Sequence, residues 1–125
     1  LHERMASAAL QAGLAFSNTK TALAHSLSYD ITLTHGVVHG IACSFSLPHV
    51  MRLAFGKDAQ VDALLLRIFD ATHTEAAVAR LIAFLEGLGV STDPASYGIV
   101  DSMDGLVQLA LQGPRGRNFI SNIAN

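Results

Sequence analysis

Ala12-Gly13-Leu14-Ala15-Phe16-Ser17-Asn18-Thr19-Lys20-Thr21-Ala22-Leu23-Ala24-His25 leads through Tyr29 and His35 to His39-Gly40-Ile41-Ala42, then to Leu47-Pro48-His49-Val50-Met51. The fold class is read from this stretch. Its apolar residues recur at helical rather than alternating spacing. A first helix, Glu3 to about Phe16, enters it, and Gly13 weakens that helix without ending it. A second spans Lys20 to about Ile31. Asn18 or Thr19 is placed to cap it, because a short polar side chain can accept from the free amides of a first turn. Ile31-Thr32-Leu33-Thr34 is β-branched and reads as the end of that helix and a loop. A third helix, Gly40 to Phe55, contains Pro48 and should kink or restart near Ser46.

Downstream, Asp58 is placed to cap a helix through Asp70, with Val61, Leu64, Leu65, Ile68 and Phe69 on one side. Thr74 is placed to cap another, carrying Val78, Leu81, Ile82 and Leu85 and stopped by Gly87 and Gly89. Ser91 to Gly98 is polar, holds Pro94, and reads as a loop with one helical turn at most. Ser102 to Leu111 is a last helix, ended by Gly113-Pro114, and Arg115 to Asn125 has no strong pattern. No repeat with a period of roughly 20–50 residues is present. The expected fold is an all-α helical bundle, with residues 1–125 forming one domain.

A chain of 125 residues is long enough to bury a core. Half of it is hydrophobic and 14% is charged, against about 25% charged in an average globular domain. That shortfall predicts an apolar face that packs on another domain or subunit. The chain opens at Leu1 and runs directly into helix-like sequence without a signal peptide, so a cut inside a longer protein is expected. A net charge of −2 with no basic run excludes a nucleic-acid binder. No stretch approaches the ~20 apolar residues of a membrane span. The single Cys43 excludes an internal disulfide and fits a reducing, cytoplasmic compartment.

The chemistry lies with the histidines. His25, in an apolar helix, is either a core imidazole with one hydrogen bond or a metal ligand. His39 stands where a helix begins and is either a capping residue or a ligand. In continuous helix their separation would be about 21 Å, so one ion can join them only if the chain reverses over Ile31 to Val38. His35 and His39, four apart, form a competing pair. Gly36-Val37-Val38 is a poor helix interior, however, and no Glu follows His35 as in the zinc-protease motif. His49 is structural or pocket-facing, and His2 and His73 read as solvent-exposed. Cys43 reads as a buried inert thiol rather than a nucleophile. No glycine-rich phosphate loop and no nucleophile elbow occur. Two imidazoles do not complete a catalytic metal site, which usually takes three protein ligands and an open position.

The Ala12–Asn18 stretch, His25, His39-Gly40 and Leu47–Met51 together resemble the C-terminal domain of the iron-containing (group III) alcohol dehydrogenases. That family carries A-G-x-A-F-S-N, a metal-binding His, a second one fourteen residues later in P-H-G, and then L-P-H-V-M. The close match covers about residues 12 to 52. The resemblance implies the C-terminal half of a two-domain enzyme. An N-terminal α/β domain would bind NAD or NADP. The helical domain would bind a divalent metal, usually Fe²⁺ and sometimes Zn²⁺, through an Asp and three His. His25 and His39 match the last two His, and the other two ligands would lie upstream of Leu1.

Phe16 matches a position facing the substrate pocket, and His35 is grouped with it there. Two positions depart from the family pattern. Tyr29 stands where many members have a His implicated in proton handling, and Val38 replaces the Pro before the second ligand. Tyr29 becomes the candidate catalytic acid, although a phenol is weaker than an imidazolium. Thr19-Lys20-Thr21 resembles a branch that reduces phosphonate aldehydes. The implied reaction is metal-assisted hydride exchange with a small alcohol or aldehyde, in a homo-oligomer, with the isolated chain inactive. The rival reading is a non-enzymatic helical interaction module whose histidines are structural.

Overall fold

The computed structural model describes residues 1–17 and 19–120. Their regular structure is helical: α1 (His2–Ser17), α2 (Leu23–His35), α3 (His39–Ser44), α4 (Leu47–Ala54), α5 (Ala59–Ile68), α6 (Thr74–Gly87) and α7 (Met103–Gln112), with 3₁₀ turns at Pro94–Tyr97 and Gly116–Asn118. The all-α reading holds. No helix among the described residues is long and apolar enough to cross a membrane.

α2 is the axis of the main core. Leu23, Leu27 and Ile31 follow one another at four-residue spacing and are almost fully buried. They pack with Ala42 and Phe45 of the α3 region, Val107 and Ala110 of α7, and Val37, Ile99 and Phe119. A second cluster joins Met51 of α4 to Ala77, Val78, Leu81 and Leu85 of α6. Arg52 closes that junction with a two-pronged hydrogen bond to Glu75, which holds the Glu75 carboxyl below its ordinary range. Ser26 Oγ donates to the Ala110 carbonyl at 3.0 Å and pins α2 to α7.

Several boundaries differ from the sequence reading. α2 begins at Leu23 after Ala22, which offers no side-chain cap. Thr19 instead turns its hydroxyl back to the Ala15 carbonyl, and Asn18 lies outside the described residues. α2 also runs four residues past Ile31. Burial of Ile31 outweighs the modest helix penalty of β-branched residues. Gly36, at φ 67, then ends the helix in the left-handed conformation that glycine adopts freely. Thr74 is the first residue of α6 rather than its cap, since His73 takes the extended cap position.

Other expectations hold. The chain breaks at Phe45-Ser46 and restarts with Pro48 in the first turn of α4, where its missing N–H costs nothing. Asp58 caps α5 by accepting from the amides of Gln60 and Val61, and Ser102 caps α7 through the Gly105 amide. The expected apolar surface is present. α1 buries none of its residues and exposes Leu10, Leu14 and Phe16. A groove of about 370 Å³ lined by Val50, Met51, Ala54, Val61, Leu65 and Phe69 runs between α4 and α5.

Candidate metal centre

The turn Gly36-Val37-Val38 folds α3 back against α2 and brings the rings of His25 and His39 together edge to face. Their ring centroids are 5.1 Å apart at 77°. Cys43, one turn beyond His39 on α3, joins them. Its Sγ lies 3.7 Å from His39 Nε2 and 3.8 Å from His25 Nδ1. One donor atom from each of the three side chains falls within 4.8 Å of the others. Two imidazole nitrogens and a sulfur so grouped suit a divalent ion of borderline softness. Cys43 is half-buried beside two rings, not sequestered as an inert core thiol.

Ser28, fully buried, orients His39. Its hydroxyl donates to the His25 carbonyl at 2.9 Å, which leaves an oxygen lone pair facing His39 Nδ1 at 3.4 Å. That contact suits the tautomer with the hydrogen on Nδ1, in which Nε2 presents its lone pair to the cleft. His25 is held below the ordinary histidine pKa by burial first, then by the charges of His39 and Arg115. It therefore stays neutral, with a lone pair available, to lower pH than a free imidazole.

Tyr29 borders the same group, its ring 5.6 Å from His39 and 6.4 Å from His25. The guanidinium of Arg115 stacks on its outer face at 4.7 Å. Arg115 also lines an open cavity of about 480 Å³ with Phe16, Thr19, Lys20, Thr21, Pro114 and Asn118. Asn118 donates to the Thr21 carbonyl at 3.0 Å and ties the cavity's two walls together. Phe16 lies on a wall of this cavity and His35 does not. His35 lines a separate depression with Asp30, Thr34 and Asp101. His49 packs in a small pocket near Asp104, 3.4 Å from its carboxylate, while His2 and His73 are exposed.

From the sequence Cys43 reads as an inert core thiol, and neither Ser28 nor Arg115 is singled out. The four-residue step from His39 to Cys43 was a legible signal, since it sets both on one face of a helix. Nothing local to Arg115 marks it, because it reaches Tyr29 only through the packing of the last helix and turn.

The sequence pattern of the Fe-containing alcohol dehydrogenase family, C-terminal, matches residues 1–122. The NAD-dependent methanol dehydrogenase of Bacillus methanolicus is 33% identical over 107 residues, covering 78% of this chain and 28% of that protein. The chain thus spans well under half the length of the curated relative it matches. No solved structure matches it.

Proposed function

The chain belongs to the Fe-containing alcohol dehydrogenase family, in its C-terminal part, and from that premise we propose that it forms the metal-binding, substrate-facing part of an NAD(P)-linked alcohol dehydrogenase or aldehyde reductase. The observation that carries the proposal is the close pair His25 and His39, linked through the Tyr29 ring to Arg115 on the wall of an open cavity. His25 and His39 would hold a divalent ion, Fe²⁺ or Zn²⁺, with further ligands from a preceding segment. When bound, the ion supplies Lewis-acid polarisation of the substrate oxygen.

The chain's own residues do the rest. Ser28 keeps His39 in the tautomer whose Nε2 can ligate. Tyr29, whose ring centroid is 5.6 Å from that of His39 and 6.4 Å from that of His25, is assigned the proton at its Oη. Phe16 contributes an apolar side chain to the cavity lining. Lys20 and Arg115 bring two cations to that cavity, and neither forms an ion pair among the described residues. They favour an alcohol or aldehyde that carries an anionic group. An N-terminal dinucleotide domain is the required partner.

The test is reduction of aldehydes by the full-length protein, followed through NAD(P)H absorbance, with Fe²⁺ or Zn²⁺ restored after chelation. Activity that needs the metal and is lost in His39→Ala is expected. Turnover indifferent to both treatments would overturn the proposal. A fully folded protein with no turnover on any aldehyde would favour the interaction module.

A further inference from the structure

We infer that Cys43 is a third protein donor to the ion held by His25 and His39, so that this domain offers an N₂S set rather than two imidazoles alone. The inference rests on the metal reading above and adds a ligand to it. The grouping carries it. One donor atom from each of His25, His39 and Cys43 lies within 4.8 Å of the others, and Sγ is 3.7 Å from His39 Nε2 and 3.8 Å from His25 Nδ1. Bonds of about 2.1 Å to nitrogen and 2.3 Å to sulfur can span either of those two sulfur–nitrogen separations. One sulfur thus stands beside ring nitrogens of two different histidines. Those rings belong to two helices joined only by the Gly36–Val38 turn.

The surroundings agree. His39 and Cys43 are four residues apart on α3 and project the same way. Ser28 occupies the far nitrogen of His39, which leaves Nε2 and Sγ turned to the same point. Cys43 is half-buried, close enough to solvent for an ion to enter and for the thiol proton to leave to water on ligation. A thiolate also supplies the negative charge that two neutral imidazoles lack. It shifts preference toward Zn²⁺, Co²⁺ and Fe²⁺ and away from Mg²⁺ or Mn²⁺.

Cobalt(II) is the probe, titrated into the metal-free full-length protein and its variants and followed by absorption. Its visible ligand-field bands report binding, and a near-ultraviolet thiolate-to-cobalt charge-transfer band reports sulfur ligation. The expected result is a charge-transfer band in the parent protein that disappears in Cys43→Ala and Cys43→Ser, with the visible bands retained. Affinity should weaken at least about tenfold, the lower end of what even outer-shell substitutions cost. Visible bands that depend on His25 and His39, with no charge-transfer band or one that survives Cys43→Ala, would overturn the inference and leave the metal reading standing. Absence of any histidine-dependent cobalt spectrum would overturn both.

Discussion

The rings of His25 and His39 lie 5.1 Å apart, although a continuous helix would hold residues at their spacing about 21 Å from one another. The difference is the work of one turn. Gly36 ends α2 at φ 67, Val37 buries into the core, and His39 opens α3 against the face of α2 that carries His25. Replacing either histidine therefore removes one of the three clustered donors. In the full-length protein, His25→Ala and His39→Ala should each weaken Zn²⁺ binding by at least about a hundredfold by calorimetric titration. His73→Ala, on an exposed residue at the start of α6, should leave it unchanged.

Proton competition follows from the lowered pKa of His25. Below the ordinary histidine value of 6.5 the unfolded chain takes up a proton that folded His25 still refuses. Between the folded and unfolded values the unfolded state binds more protons, so stability of the metal-free protein rises with pH across that window. Above 6.5 this contribution is constant. It falls away as pH drops below 6.5, until His25 itself titrates. Chemical denaturation of the parent and His25→Gln at a series of pH values below 7 checks it, with the shallower dependence expected in the variant. Metal affinity should fall in the same acid range.

Lys20 and Arg115 are expected to govern substrate affinity rather than the chemical step. Both are solvent-exposed at the cavity wall, so screening limits what each contributes. Lys20→Ala and Arg115→Ala should each raise KM for an anionic aldehyde roughly tenfold, with kcat much less affected. The increase should shrink in high salt and be absent for an uncharged aldehyde of similar size. An equal rise for both aldehydes would place the defect in packing instead.

Gly116 follows Arg115 and opens the 3₁₀ turn packed on the end of α7. It is buried, and an added Cβ would meet Leu111 Cα at 2.6 Å and overlap the Ala110 carbonyl. Gly116→Ala must push the 3₁₀ turn off α7 and should destabilise the protein by about 1–3 kcal/mol, the usual cost of overpacking. Thermal unfolding reads the loss. Gly40→Ala, where a Cβ meets open space, is the control and should cost little.

Much of the fold was legible because its punctuation is local. Pro48 fixes the restart of α4, and the side chains of Asp58 and Ser102 satisfy amides two or three residues away. The all-helical class, and the histidine pair with its flanking motifs, follow from spacing along the chain. The end of α2 did not follow, because the weak propensity of Ile31 to Thr34 is decided by burial of Ile31 against partners distant in sequence. The same holds at the site. No neighbour of Cys43 announces that its sulfur will meet a histidine from another helix. Arg115 reaches Tyr29 only after α7 has docked on α2 through Ser26 and Ala110. Local hydrogen bonding and periodicity can be read one segment at a time. The grouping of donors and the charge of the cavity are sums over segments, and only the packed tertiary structure performs that sum.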